Sequence, residues 1–188
     1  MNTDPDLFVV HLLQLLGQNL GHRVLDAGSG TGRNAAYLQS AGREVICYDV
    51  ARSALIRSRD ESGVTNTLHG RIEALPFTDS SFDAAICTSV LESVTDQAAC
   101  AAVEELRRVV RPGGHLLIVA ASAEGSDEDY STTMPGAAHQ ARLTTREQLD
   151  SWFGSLDWLE LLHLQLVVPN TASVRSQWSL IARKPARR

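Results

Sequence analysis

The sequence predicts an α/β protein, a three-layer α/β/α sandwich with a seven-stranded, mostly parallel sheet that closes in a C-terminal antiparallel β-hairpin. Three observations carry this. Short apolar runs alternate with helical patterns between residues 23 and 121, which calls for parallel strands joined by right-handed crossovers and covered on both faces. The first run, Val24-Leu25-Asp26-Ala27, opens directly into Gly28-Ser29-Gly30-Thr31-Gly32 and a helix start. Near the C-terminus two strand-like runs follow one another with no helix between them, so they pair antiparallel.

Taken in order, Asp4 and Pro5 predict a helix start: a capping side chain, then a residue whose fixed φ suits the first turn. Leu7, Val10, Leu13 and Leu16 share overlapping faces, and Phe8, Leu12 and Leu15 widen the stripe, so this helix packs on the domain. Gly17 and Gly21 end it. A strand over 23–27 leads to a helix over 33–41 stopped by Gly42. A strand over 44–48 leads to a helix over 51–61. A weak strand over 67–69 and a loop through Pro76 precede an apolar strand over 82–88 and a long helix over 96–110. Arg111-Pro112-Gly113-Gly114 reads as a turn before a buried strand over 115–121.

Residues 122–143, rich in Gly, Ser, Ala and acids, read as a long irregular segment. Thr144-Thr145-Arg146-Glu147 has capping-box spacing and predicts a helix to Phe153. The closing strands span 159–168 and 177–183, separated by Pro169-Asn170 and a polar stretch. The expected organisation is one domain over 1–188: an N-terminal helix (1–20), a binding core (22–121), an irregular lid or substrate segment (122–143), and a helix with the closing hairpin (144–184). A chain of 188 residues is long enough for one proper core.

Composition narrows the class. Hydrophobic content of 44% and charged content of 21% are ordinary for a soluble globular protein. A net charge of −5 argues against nucleic acid as the main partner, which needs a broad basic surface. The one basic run, Arg183-Lys184-Pro185-Ala186-Arg187-Arg188, reads as a solvated tail. Cys47 and Cys87 fall in strand runs and Cys100 in a helical one; all three read as small buried hydrophobes, with no disulfide framework and a reducing compartment. The opening Met-Asn-Thr-Asp-Pro-Asp lacks the basic region of a signal peptide, and no apolar run approaches the ~20 residues that span a bilayer. A cytoplasmic protein without membrane insertion is expected.

Four local signals carry the chemistry. The first is the glycine loop with Asp26 before it; such a loop lets backbone approach a ligand closely at the carboxyl ends of parallel strands. The second is Asp49, ending the second strand, where a carboxylate can accept from both ribose hydroxyls of a nucleoside. The third is Gly70-Arg71-Ile72-Glu73-Ala74-Leu75-Pro76-Phe77, leading through Asp79 into Phe82-Asp83-Ala84-Ala85-Ile86-Cys87-Thr88-Ser89-Val90-Leu91. The fourth is Glu105-Leu106-Arg107-Arg108-Val109-Val110-Arg111-Pro112-Gly113-Gly114-His115-Leu116-Leu117-Ile118. Asp26 also reads as a cap of its turn and Asp49 as a cap of the next helix; for Asp49 the two readings are compatible. Tyr48 reads as a packing residue.

In order and spacing this set, over residues 23–118, closely resembles the class I S-adenosylmethionine-dependent methyltransferases, whose Rossmann-like seven-stranded sheet also ends in a hairpin. The resemblance implies S-adenosylmethionine as cofactor and S-adenosylhomocysteine as product. It implies a cofactor-binding set of Asp26, Gly28, Ser29, Gly30, Gly32, Asn34, Asp49, Val50, Ile72, Glu73, Thr88 and Ser89. Within it, residues 28–32 would wrap the amino-acid end and Asp49 hold the ribose. Ile72 would lie by the adenine with its backbone reading the ring edge, and Thr88 and Ser89 would face the methionine moiety and the reacting methyl.

Two departures stand out. Where relatives often carry an Asp that accepts from the adenine amino group, this chain has Arg71, which has no acceptor; Glu73 or a backbone carbonyl would have to serve, with Arg71 stacked on the ring or solvated. Where relatives often have a histidine after the fourth strand, this chain reads Leu91-Glu92-Ser93-Val94. Glu92 and Ser93 are poor substitutes for that potential base, and no catalytic residue is assigned. His11, His22, His69, His115, His139 and His163 show no metal-ligand pairing, so no metal is expected; His139 alone is a substrate-side candidate. Glu124, Asp127, Glu128 and Asp129 with Tyr130 read as a solvated charge run rather than a lid for a cationic substrate.

The reading that follows is methyl transfer to a small-molecule acceptor by in-line displacement, because the acceptor-side segments amount to one helix and about twenty irregular residues. The run Gly32-Arg33-Asn34-Ala35-Ala36-Tyr37-Leu38 looks somewhat like small-molecule methyltransferases of the tellurite-resistance and quinone-biosynthesis groups. Alternatives are a protein or RNA methyltransferase, a non-catalytic S-adenosylmethionine-binding protein, and an NAD-dependent oxidoreductase; the last is disfavoured because its third glycine stands one residue further on. The sequence carries no signal for oligomeric state.

Overall fold

Seven strands form one sheet in the computed structural model, which describes residues 4–125, 142–167 and 174–186. They are β1 (Arg23–Ala27), β2 (Glu44–Asp49), β3 (Thr67–His69), β4 (Phe82–Thr88), β5 (Val110–Ala121), β6 (Asp157–Val167) and β7 (Val174–Arg183). Their order is β3-β2-β1-β4-β5-β7-β6. β1 to β5 are mutually parallel, and β7 enters between β5 and β6 antiparallel to both. The order reverses between β1 and β4, so successive crossovers leave in opposite directions and open a crevice at the carboxyl ends of those strands.

Helices α1 (Leu7–Leu16), α2 (Arg33–Ser40) and α3 (Arg52–Ser62) cover one face, and α4 (Asp96–Val109) and α5 (Arg146–Phe153) the other. Each face has its own core. Val9, Leu12, Leu38 and Leu55 pack over Val24, Ile86 and Leu117; Val103, Leu106, Leu149 and Phe153 pack over Leu25, Leu116 and Leu180. Because β1 and β4 are covered on both sides, their sequences are apolar without alternation.

Several boundaries differ from the sequence expectation for local reasons. The cap of α1 is Asp6, whose Oδ1 accepts from the Phe8 amide at 2.9 Å, and not Asp4. Asn34 holds the Asp6 amide at 2.8 Å, where the chain is still extended two residues past the expected cap. The α5 capping box is Thr145 with Gln148 rather than Thr144 with Glu147. Thr144 is occupied elsewhere: its amide donates to the Ala121 carbonyl, and its carbonyl accepts from the Trp178 indole.

The expected turn at 111–114 lies inside β5 as a bulge. Val110 pairs with Phe82 and His115 with Ala84, so the bulged residues face Asp83 alone. A Cβ on Gly114 would stand 2.5 Å from the Asp83 carbonyl, which requires glycine there. Arg111 and the amides of His22 and Arg23 all converge on the Asp83 carboxylate.

Cys47 and Cys87 are buried, but Cys100 is exposed on α4, contrary to its reading as a buried hydrophobe. Glu124, read as part of a solvated run, also accepts from the Arg146 amide at the start of α5, where a carboxylate is favoured. Asp127, Glu128, Asp129, Tyr130 and His139, with most of the 122–143 segment, lie outside the described residues, as do Pro169-Asn170 and Arg187-Arg188. Among the described residues no helix is long and apolar enough to cross a membrane.

Candidate functional site

The crevice at the carboxyl ends of β1, β2 and β4 contains a cavity of about 410 Å³. Six of the twelve residues in the implied cofactor-binding set line it, Gly28, Asp49, Val50, Ile72, Glu73 and Ser89, and so does Arg71. The glycine loop bends around its edge, with left-handed φ at Gly28, Gly30 and Gly32. The amides of Gly28 and Ser29 donate to the Tyr48 carbonyl at 2.7 and 3.2 Å, tying the loop to β2. The three glycines do different work. A Cβ at Gly28 would stand 2.1 Å from Val90, and one at Gly32 would stand 2.2 Å from the Ser58 hydroxyl; both are packing sites. A Cβ at Gly30 would meet nothing within 4 Å, so its face is bare.

Asp49 joins the loop to the second strand. Its Oδ2 accepts from the Gly30 amide at 2.8 Å and its Oδ1 from the Ala51 amide at 2.7 Å, just ahead of α3. Each oxygen retains a further lone pair. The reading of Asp49 as the cap of α3 does not hold: the N-cap is Ala51, without a side-chain cap bond, and Asp49 instead closes a turn onto the Ala51 amide, in a rotamer compatible with its reading as a site residue.

The opposite wall is built on Tyr48. Its hydroxyl donates to the carbonyls of Arg71 and Ala74, and its ring meets Phe77 edge to face. Burial, then the Glu73 and Glu105 carboxylates, raise its pKa. A Cβ on Gly70 would overlap the Tyr48 hydroxyl, so the chain can pass here only as glycine. Ile72, only 6% exposed, presents an apolar surface to the cavity. Arg71 is 70% exposed at its side chain and pairs with Glu73. The third and fourth sequence signals meet behind this wall. Glu105 Oε2 accepts from the Leu75 amide at 2.7 Å, while Arg108 donates to the carbonyls of Leu75 and Phe77 and to Asp79.

The other sequence candidates stand behind the cavity. Asp26 is 1% exposed, and neither of its oxygens has a hydrogen-bond partner. Burial, then the Asp49 charge, push its pKa up to about 7 against the pull of Arg33 and the Ala35 amide. Ser29 is buried with an unpartnered hydroxyl. Asn34 is committed on both sides: its Oδ1 accepts from the Asp6 amide, and its Nδ2 donates to the Thr88 hydroxyl at 3.1 Å. Thr88 therefore faces Asn34, while Ser89, at φ +57, turns to the cavity.

Sequence reasoning missed part of the lining. Tyr48, Gly70, Val90, Ser93, Val94, Thr95 and Ala98 also face the cavity. The last five come from the 3-10 turn Leu91–Ser93 with its flanks and the start of α4, where small and apolar residues carry no chemical signal.

The family profile of the methyltransferase domain matches residues 25–118, half of the chain. The chain is 36% identical over 154 residues to the malonyl-[acyl-carrier protein] O-methyltransferase of Yersinia pestis, covering 82% of this chain and 52% of that protein. It is 35% identical over 106 residues to the demethylmenaquinone methyltransferase of Beutenbergia cavernae, covering 56% of this chain and 43% of the relative. It thus spans about half the length of these curated relatives. Among solved structures, a SAM-dependent methyltransferase from Methanosarcina mazei superposes with a TM-score of 0.76 at 19% identity, over 94% of this chain and 98% of that one.

Proposed function

The chain belongs to the class I S-adenosylmethionine-dependent methyltransferases, and from that membership we propose that it transfers a methyl group to a small-molecule acceptor by in-line displacement. The observation that carries this reading is the cavity at the strand-order reversal, bounded by the glycine loop and Asp49. Bound there, S-adenosylmethionine supplies an activated methyl on a sulfonium and leaves as S-adenosylhomocysteine. The protein's task is then largely orientation, which can contribute ~7–11 kcal/mol to a bimolecular transfer.

The residues fit that cofactor. The bare face of Gly30 admits close approach of an amino-acid end, and the unpartnered Asp26 carboxyl lacks the positive charge an ammonium would bring. Asp49 keeps lone pairs for ribose hydroxyls, with Val50 beside it. Ile72 and Glu73 both line the cavity; Ile72 would pack against adenine, and Glu73 would offer an acceptor for the ring amino group. Ser89 faces the methyl. Asn34, Thr88, Ser29, Gly28 and Gly32 hold these groups in place. The binding core is residues 22–121, and the acceptor side would fall to the N-terminal helix.

The acceptor is a small molecule, free or borne on a carrier; the names of the relatives support both forms. A net charge of −5 speaks against nucleic acid. Two buried free thiols, Cys47 and Cys87, support a reducing, cytoplasmic setting. Calorimetric titration with S-adenosylmethionine, S-adenosylhomocysteine and NAD tests the cofactor, and product formation across an acceptor panel tests the activity. Binding of NAD in preference to S-adenosylhomocysteine would overturn the reading; binding without turnover on any acceptor would reduce it to a cofactor-binding protein.

A further inference from the structure

The function proposed above leaves Arg71 without a role, although it lines the cavity beside Ile72 and Glu73. Arg71 opens a turn over residues 71–74, closed by the Ala74 amide, which donates to the Arg71 carbonyl at 3.1 Å. The Tyr48 hydroxyl donates to the same carbonyl at 3.2 Å. A carbonyl oxygen has two lone pairs, so none is left here for a ligand. The turn is thus held to β2 through Tyr48, while Arg71, Ile72 and Glu73 all border the cavity.

The two charged side chains of this turn touch. Arg71 Nε donates to Glu73 Oε1 at 2.5 Å. Elsewhere an arginine grips its carboxylate with two nitrogens: Arg57 holds Glu61, and Arg108 holds Glu105, through Nε and Nη2 together. Arg71 uses Nε alone. Among the described residues its terminal nitrogens meet no acceptor, and Glu73 Oε2 meets no donor. Glu73 is the inner partner, 21% exposed at its side chain, and Arg71 the outer one at 70%. The pair therefore offers the cavity one anchored acceptor with free donors next to it. An adenine edge is complementary to that arrangement, because its 6-amino group donates and a ring nitrogen beside it accepts.

We propose that Arg71 and Glu73 together read the purine of the cofactor: Glu73 accepts from the 6-amino group, while Arg71 holds Glu73 in place and donates to a ring nitrogen beside that group. This rests on the methyltransferase reading and adds a base specificity to it. As a surface contact the ion pair contributes little to stability. Its use is to fix a carboxylate that would otherwise turn to water. A 6-oxo purine sets an oxygen against the Glu73 carboxylate, acceptor against acceptor, and is rejected. Arg71, which has no acceptor of its own, thereby serves recognition of the amino group through its neighbour, as a positioning residue.

The test is a set of calorimetric titrations of the full chain with four ligands: S-adenosylhomocysteine, S-inosylhomocysteine, and the 1-deaza and 7-deaza analogues of S-adenosylhomocysteine, each lacking one ring nitrogen. No acceptor is needed. The wild type should prefer the 6-amino to the 6-oxo compound by roughly 10- to 100-fold, the range of a hydrogen bond to a charged group. Glu73→Gln, whose amide can turn a donor to the oxygen, and Arg71→Ala should both bring that ratio to within about threefold of unity. Arg71→Lys, which keeps a cation beside Glu73, should recover part of it. One deaza analogue should bind the wild type more weakly than S-adenosylhomocysteine, which identifies the nitrogen read, and this loss should vanish in Arg71→Ala. A merely structural turn would weaken all four ligands alike and leave the ratios unmoved. Equal wild-type binding of the 6-amino and 6-oxo compounds, or a preference unchanged in Arg71→Ala, overturns the role of the pair. A deaza loss that is absent in the wild type, or that persists in Arg71→Ala, overturns the donor. These outcomes leave the methyltransferase reading standing, whereas failure of the wild type to bind S-adenosylhomocysteine overturns that reading instead.

Discussion

Asp49 closes the glycine loop onto the second strand through a 2.8 Å hydrogen bond from the Gly30 amide to its carboxylate. The same carboxylate receives the Ala51 amide, so one side chain sets the loop, the entry to α3 and one wall of the cavity. Asp49→Ala should therefore have two effects. Loss of the two amide hydrogen bonds should cost about 1–3 kcal/mol of stability, while affinity for S-adenosylhomocysteine should fall at least tenfold. Calorimetric titration beside a thermal melt separates the two, and unchanged affinity would refute the ribose assignment.

Gly28 and Gly30 should respond oppositely to alanine. At Gly28 the new methyl would overlap Val90, so Gly28→Ala should unfold the loop and lower Tm sharply. At Gly30 the space is open and the cost is that of a left-handed alanine, about 1–2 kcal/mol. Gly30→Ala should fold yet bind S-adenosylhomocysteine poorly, because the added methyl occupies the bare face. Equal stability loss in the two variants would show that the loop, and not the cavity, sets the requirement.

Asn34 bridges the extended residue ahead of α1 to the end of β4. Asn34→Leu leaves the Asp6 amide and the Thr88 hydroxyl without this partner, a loss of about 1–3 kcal/mol. Hydrogen exchange should rise along residues 6–16 and much less along β1. Asn34→Asp keeps the acceptor for Asp6 and should lose less at α1 than Asn34→Leu does.

The pH dependence of stability follows from Asp26, whose folded pKa of about 7 lies above its ordinary value of 3.8. Between these limits the folded state binds more protons than the unfolded chain. Stability from this group is therefore highest below about pH 4 and declines as pH rises to about 7, by an amount on the order of a few kcal/mol. Asp26→Asn should flatten this limb of a urea-melt series between pH 4 and 8 and be the more stable protein at pH 8. If the ammonium of the cofactor is what this carboxylate serves, the same variant should bind S-adenosylhomocysteine more weakly at pH 8.

How much of this was legible in sequence depended on whether a residue's role was local. β1 and β4 were predicted to the residue, since buried parallel strands declare themselves as largely apolar runs; the short edge strand β3, mostly exposed, also fell at its expected place. The bulge at 111–114 read as a turn because its partner, Asp83, lies 28 positions away. Thr144 gave up its expected cap to distant groups, the Ala121 carbonyl and the Trp178 indole. Within the site, Asp49 and Gly30 were identified by type and spacing. Val90, Val94 and Ala98 were not, because a cavity wall of small apolar residues looks like any other packing surface.

By itself, then, the sequence determined the strand order of chemistry: a glycine loop after the first strand, an acid after the second, and two further signals that mark the family. Tertiary structure alone decided what each of those residues faces. It left Gly30 open on its Cβ side and packed Gly28 and Gly32 against Val90 and Ser58; it turned Ser89 to the cavity and Thr88 to Asn34; and it buried the Glu92 side chain. The physical reason is that spacing along a chain specifies backbone geometry. Which side of that backbone meets solvent, cavity or core is settled only when the other strands and helices close around it.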